Sequence, residues 1–255
     1  MNIISIIPAR MGSNRFPGKP MKDILGMPMI GHVFKRVKMS KTLSEVYVAT
    51  CDKEIFDYIV SIGGKAIMTS DQHERCSDRC AEAMLKIENE TAKKCDIIVI
   101  VQGDEPLTFP QMIDEAISPM IKDNNITITN LVANLDTIEA FENPNEIKVV
   151  MDKNKNALYF SREPIPSREK STHKIPMKKQ VCVIPFKRDF LLDYNEMEPT
   201  PLEIIESIDM MRILENGGKV RLCETKFKTK AVDTKEDLAL VREMMKKDKL
   251  FESYK

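Results

Sequence analysis

Short unbroken apolar runs alternate along the chain with stretches in which apolar residues recur at helical spacing. Ile3–Ile7 (IISII), Val46–Thr50 (VYVAT), Lys65–Thr69 (KAIMT) and Ile97–Gln102 (IIVIVQ) have the length of strands. Pro28–Met39 sets Ile30, Val33, Phe34 and Val37 on one helical face. Lys53–Gly64 repeats that pattern and ends on glycines, and Ser77–Ile87 opens on a serine suited to cap a helix. Strands placed between helices predict an α/β fold with a sheet held between helix layers. The run IIVIV shows no polar alternation, as a central strand buried on both faces requires. Ligands of such sheets bind beyond the carboxyl ends of the strands. Two loops fall there: PARMGSNRFPGKP (Pro8–Pro20) and QGDEP (Gln102–Pro106).

The second half is less regular. Ile126–Asn134, Glu146–Asp152, Ala157–Arg162, Gln180–Phe186 and Lys219–Thr225 read as strands. Pro201–Gly218 reads as one helix closed by glycines. Lys235–Lys247 reads as an amphipathic helix with Leu238, Val241, Met244 and Met245 facing inward. Between them, Glu163–Lys179 carries three prolines and many charges and reads as a long surface loop.

Charge narrows the function classes. Lys plus Arg and Asp plus Glu balance at 39 each, and there is no tryptophan, which argues against a nucleic-acid module and against an anionic membrane surface. An anion site must therefore be a local cluster. No apolar run approaches the roughly 20 residues that span a bilayer, and MNIISIIPAR has no basic leader region, so the expected location is the cytoplasm. Six cysteines are scattered along the chain. Cys76 and Cys80 make a CxxxC without a second pair, which fits reduced, mostly buried thiols better than zinc.

The opening loop has the parts to hold a polyphosphate. Gly12 and Gly18 let backbone N–H groups approach oxygens, and Arg10, Arg15 and Lys19 bring positive charge. It matches neither GxxxxGK[ST] nor GxGxxG, and the alternative is a solvated basic loop. Asp104 in QGDEP lies just past a buried strand, where a carboxylate can hold a hard metal ion; a turn aspartate is the plainer reading. Asp233 in AVDTKEDL is open to the same two readings, because Thr234 and Asp237 form a helix-cap pattern beside it. Two carboxylates beside a phosphate loop are the elements of nucleotidyl transfer.

Read in order, IIPARMGSNRFPGKP, CSDRCAEA, VQGDEP, NPNEIKVVMD, ALYFSREPIP, PTPLEIIE and AVDTKEDL resemble the 3-deoxy-manno-octulosonate (Kdo) cytidylyltransferase family. The resemblance covers nearly the whole chain, from Ile3 to about Leu238. It implies a Rossmann-like nucleotidyltransferase domain over 1–255, with a mixed sheet, helices on both faces and an inserted dimerisation and acceptor lobe at about 135–200. It implies a homodimer that uses CTP and Mg2+ to transfer CMP to an acidic sugar, with release of pyrophosphate. Pro8, Ala9, Arg10, Ser13 and Lys19 then belong to the nucleotide, with Arg10 and Lys19 acting on the triphosphate, and Ser77 and Arg79 lie near the cytosine. Asp104 and Asp233 fall on the metal-binding aspartates. Gln102, Gln180, Glu203 and Glu206 fall on the acceptor side.

The departures from the family pattern concentrate in QVCVIPFK. Gln180 stands where the family has histidine, and Ile184 and Phe186 stand where it has tyrosines. Asp209–Arg212 (DMMR) replaces E-Q-L-R, and Cys76 replaces a glycine before Ser77. The donor half is intact and the acceptor half is rewritten. That leaves open CMP transfer to another anionic acceptor, such as a phosphonate, or a non-catalytic nucleotide-binding homologue.

Overall fold

The apolar runs of the N-terminal half are strands buried almost along their whole length in the computed structural model, which describes residues 1–12, 16–169 and 175–255. The chain divides into two units, Met1–Asp114 with Lys228–Lys255, and Glu115–Phe227.

The first unit begins with β1 (Ile3–Ala9), a small hairpin of β2 (Asp23–Ile24) and β3 (Met27–Pro28), and α1 (Met29–Lys38). It continues with β4 (Glu45–Thr50), α2 (Lys53–Ser61), β5 (Lys65–Met68), α3 (Cys76–Thr91) and β6 (Ile97–Val101). The chain passes into the second unit within α4 (Pro110–Lys122). Strands lie side by side in the order β6, β1, β4, β5, and each of these pairs is parallel. Their carboxyl ends therefore share one edge. All five residues of β6 and all seven of β1 are buried, as the absence of polar alternation required.

One apolar cluster holds the functional edge together. Phe16 comes from the loop after β1, Leu107 from the turn after β6 and Val232 from the chain that returns near the C-terminus. They pack with Leu238, Val241 and Met245 of the closing helix. Each such side chain contributes about 1.5–3 kcal/mol on burial. His32, fully buried on α1, is a satisfied core histidine: Nε2 lies 2.8 Å from the Ile24 carbonyl and Nδ1 lies 3.0 Å from the Tyr254 hydroxyl.

The second unit contains β7 (Thr129–Asn134), α5 (Ile138–Glu142), β8 (Lys148–Met151), β9 (Ala157–Ser161), β10 (Lys178–Val181) and β11 (Val183–Lys187). It then has α6 (Arg188–Glu196), α7 (Pro201–Glu206), α8 (Met210–Glu215) and β12 (Arg221–Glu224). Its sheet runs β12, β7, β10, β8, β9, parallel at the first pair and antiparallel at the others. The chain returns to the first unit and closes with α9 (Lys235–Lys246).

Four expectations are corrected. The single helix over Pro201–Gly218 is two short helices, α7 and α8, broken where Ser207 takes φ 53°. The bend brings Arg212 back onto Glu203, a contact that a straight helix cannot make. The strand over Gln180–Phe186 is also two pieces: Val181 pairs with Leu131, the chain bends at Cys182, and Phe186 then bridges Ile128. Next, α3 starts at Cys76 behind Arg75, so Ser77 sits inside the first turn instead of capping it. Finally, the continuous strand in Ile126–Asn134 begins at Thr129, preceded by the single bridge at Ile128. The helices α4, α5 and α6 lie in stretches where the pattern announced none. Pro119 within α4 is a breaker signal that hides a helix of 13 residues.

Candidate active site

The edge at the carboxyl ends of β1 and β6 carries the residues expected on the donor side. Pro8 and Ala9 are the last residues of β1 and are buried; Arg10 follows, exposed. The Met11 N–H donates to Asp52 Oδ2 (2.8 Å) at the start of α2, which fixes where the loop leaves the strand. The Gly18 N–H donates to the Met11 carbonyl at 3.0 Å and closes the loop. Gly18 has φ 69°, the left-handed conformation that glycine adopts without strain, and the chain then enters a tight turn at Lys19–Met21. Ser13 and Arg15 lie outside the described residues.

After β6, Gly103 lets the chain pass close to β1. A Cβ there would meet the Pro8 carbonyl oxygen at 2.9 Å. Asp104 follows, and the Val232 N–H donates to its carbonyl at 2.9 Å. That contact brings the returning chain to the site, and Asp233 with it. Lys19 Nζ lies 2.8 Å from Asp104 Oδ2 and 3.5 Å from Asp233 Oδ1, so one ammonium joins the two aspartates. The second Asp104 oxygen, Oδ1, is buried with no hydrogen-bond partner among the described residues. The helix cap beside Asp233 belongs to its neighbours. Asp237 Oδ2 accepts from the N–H groups of Asp233 (3.1 Å) and Thr234 (3.0 Å), and the Thr234 hydroxyl accepts from the Asp237 N–H. Burial alone would raise the Asp237 carboxyl, but hydrogen bonds from Lys230 and these N–H groups bring it below the usual range. The cap is thus filled by Asp237, which leaves the Asp233 carboxylate facing Lys19.

Two carboxylates with an unpartnered buried oxygen make a hard, all-oxygen donor set. It fits an ion such as Mg2+, which takes one or two protein carboxylates and completes its shell with phosphate and water. No group of three or more His, Cys, Asp or Glu with metal-site geometry occurs among the described residues.

The third element is the first turn of α3. Ser77 and Arg79 are both buried. Arg79 Nη1 donates to Thr69 Oγ1 (2.5 Å) and to the Ser70 carbonyl (3.2 Å), while Nη2 is buried with no partner among the described residues. Gln102 Nε2 reaches Cys76 Sγ at 3.9 Å, which links the turn after β6 to the start of α3. Arg10 Nη1 donates to the His73 carbonyl at 3.3 Å, so the loop before α3 also meets the loop after β1.

Three residues that the sequence left unremarked support this arrangement. Glu105, 4% exposed, accepts from the Thr229 hydroxyl at 2.6 Å and ties the turn after β6 to the returning chain. Asp52 holds Met11. Glu82 gathers the Ser70 N–H (2.9 Å), Lys86 (2.7 Å) and His73 onto one carboxylate. Of these, only Glu105 carried a signal, as a neighbour of Asp104 in QGDEP.

Burial alone would raise the Glu82 carboxyl, but the bonds from Lys86, Ser70 and His73 override it and bring it down to about 2. A depressed carboxyl stabilises the fold above its unfolded value near 4.5 and loses that contribution as pH falls toward about 2. Wild-type protein should therefore exceed Glu82→Gln by about 1–2 kcal/mol at neutral pH, after allowance for partial solvent exposure. The gap should narrow in urea melts stepped down to about pH 3. A gap that stays constant with pH would show that the carboxylate charge is not what holds this loop.

The remaining predicted residues lie in the second unit. Gln180 donates through Nε2 to Asn130 Oδ1 (2.5 Å). Glu206 accepts from Ser161 Oγ and the Arg162 N–H, both at 2.8 Å. Glu203 is 2% exposed, and its oxygens meet Arg212 Nε and Nη2 at 2.8 and 2.9 Å. Ile184 and Phe186 are core residues, with Phe186 packed on Tyr194 and Phe190. Cys80 and Cys223 carry buried free thiols that burial pushes up, Cys223 to about 12, so neither is a ready nucleophile.

The chain is similar to known proteins over nearly its whole length. The sequence family described as cytidylyltransferase matches residues 4–228. A 3-deoxy-manno-octulosonate cytidylyltransferase of Geobacter metallireducens is 43% identical over 255 residues, covering 96% of this chain and 98% of the relative. Its counterpart in Geotalea uraniireducens is 42% identical, covering 97% and 100%. Among solved structures, a CMP:2-keto-3-deoxy-manno-octonic acid synthetase complexed with CTP superposes with a TM-score of 0.88 at 36% identity, over 97% of this chain and 99% of that one.

Proposed function

Because the chain belongs to the 3-deoxy-manno-octulosonate cytidylyltransferase family, we propose that it transfers CMP from CTP to a 3-deoxy-2-ulosonic sugar acid and releases pyrophosphate. The observation that carries the reading is the Lys19–Asp104–Asp233 cluster, set beside the Arg10 loop at the carboxyl ends of parallel strands.

In this reading Pro8, Ala9, Arg10, Ser13 and Lys19 receive the triphosphate, and Arg10 and Lys19 neutralise charge as it moves onto the leaving pyrophosphate. Ser77 and Arg79 serve the cytosine end. The buried Nη2 of Arg79, without a partner among the described residues, supports that assignment as a donor left for a ligand. Asp104 and Asp233 would hold Mg2+, which when bound supplies Lewis-acid charge to the phosphates. The acceptor hydroxyl and the α-phosphorus need mainly to be brought into line, and the family resemblance assigns Gln102, Gln180 and Glu206 to the acceptor. Glu203 contributes from behind, by holding Arg212.

The stretch at about 135–200 serves in this reading as the acceptor and dimerisation lobe of a cytoplasmic homodimer. Exposed Leu158 in that stretch, with exposed Ile204 and Ile205 just after it, supports a partner surface. No helix among the described residues is long and apolar enough to cross a membrane.

The test is incubation with CTP, Mg2+ and Kdo, with pyrophosphate release and the mass of the CMP adduct as readouts. Turnover with Kdo supports the reading. A second reading, CMP transfer to another anionic acceptor, draws on Gln180. It is the one departure in QVCVIPFK with a polar side chain, since Ile184 and Phe186 belong to the core. Turnover with another acid but not with Kdo would favour it, and no turnover with any acceptor would point to a nucleotide-binding homologue without activity.

A further inference from the structure

Lys19 holds a place that the proposed function gives to a metal ion. Its ammonium is 2.8 Å from Asp104 Oδ2 and 3.5 Å from Asp233 Oδ1, and its side chain is 12% exposed. The backbone fixes all three residues. Lys19 opens a tight turn behind Gly18, the Asp104 carbonyl is bound by Val232, and the Asp233 N–H is held by Asp237. The carboxylates are therefore brought close by the fold, and they need a nearby positive charge to limit their mutual repulsion. The ammonium supplies it.

A divalent ion arriving alone meets that ammonium on its own ligands, so it must either displace a charge-assisted hydrogen bond or bind against a like charge at a few ångströms. A triphosphate changes both terms. It offers Lys19 another anionic partner, and it brings oxygen ligands and negative charge for the ion.

We propose that Lys19 is a built-in counter-cation that makes metal entry conditional on nucleotide: the free enzyme binds the ion weakly, and the ion enters with the triphosphate as Lys19 moves from the aspartates to the phosphates. The inference rests on the assignment of Asp104 and Asp233 to the metal.

The experiment reads binding, not activity. Free Mn2+ is followed by electron paramagnetic resonance in titrations of the wild type, Lys19→Met, Lys19→Gln and Asp104→Asn, without nucleotide. Both lysine variants should bind Mn2+ on the order of tenfold or more tightly than the wild type, because the competing charge is gone. Mn2+ alone should raise the melting temperature of the two variants, while the wild type should respond only when CTP is also present. Agreement between Met and Gln guards against an effect of either side chain alone. If the wild type binds Mn2+ alone as tightly as the lysine variants, and Asp104→Asn abolishes that binding, the metal site stands and the gating role of Lys19 is overturned. If Asp104→Asn leaves the melting shift with Mn2+ plus CTP unchanged, the metal assignment itself fails, and the inference with it.

Discussion

Asp104→Asn should lower the rate of CMP transfer by about a thousandfold or more, a loss of about 4 kcal/mol of transition-state stabilisation. The substitution keeps the shape of the side chain and an oxygen for Lys19, but it removes the negative charge on which a hard cation depends. Oδ1 is buried with no partner among the described residues, and the charge that it shares with Oδ2 is lost. Stability should not fall with activity. One of two carboxylates that share a single ammonium becomes neutral, which relieves repulsion at the edge of the sheet. Steady-state pyrophosphate release, read beside a thermal melt, separates the two effects. A rate within about tenfold of the wild type would remove Asp104 from the metal site.

Arg212→Met should cost about 3–5 kcal/mol and lower the melting temperature by about 10 °C. The reason is what stays behind. Arg212 is 3% exposed and Glu203 is 2% exposed. With the guanidinium gone, Glu203 keeps a buried carboxylate with its main counter-charge removed. Arg212 also donates through Nη1 to the carbonyls of Tyr194 (3.1 Å) and Met197 (2.9 Å), and its guanidinium lies 4.6 Å from the centre of the Tyr194 ring. The substitution therefore also removes two hydrogen bonds at the end of α6. The double variant Arg212→Met, Glu203→Gln should recover most but not all of the loss, because Gln can still accept the Thr200 N–H that Glu203 receives at 3.2 Å, while the two carbonyls stay without their guanidinium donor. Thermal melts of the single and double variants form the check. A single variant within about 1 kcal/mol of the wild type would mean that the pair contributes little to the fold.

These two residues also mark how far the sequence alone could be read. Asp104 was legible because a continuous apolar run predicts a buried parallel strand, and such strands deliver their next few residues to the ligand edge. Asp233 was legible only by resemblance. Its neighbours form a cap pattern, and only the observed bonds of Asp237 show which carboxylate fills the cap. The pairing of Arg212 with Glu203 was concealed for a different reason. Their stretch has continuous helical periodicity, and the break at Ser207 comes from a left-handed serine that no local signal announces. The Glu105–Thr229 bond could not be read at all, since pairing across long stretches leaves no local pattern. Ser13 falls outside the described residues. Periodicity thus reports which residues turn inward; it does not report which polar groups meet once they are inside.

The first unit is assembled from two pieces of chain, residues 1–114 and 228–255, and Thr229 reaches Glu105 across 124 positions. During synthesis at about 5–20 residues per second, β1 through β6 emerge well before their closing partners. In that interval the loop that carries Lys19 has Asp104 but not Asp233, and Phe16 and Leu107 have no Val232 or α9 to cover them. The proposed site for nucleotide and metal is complete only once Asp233 has emerged. A ribosome that stalls earlier leaves a nascent chain with apolar surface exposed and the proposed site incomplete, a form suited to capture by chaperones.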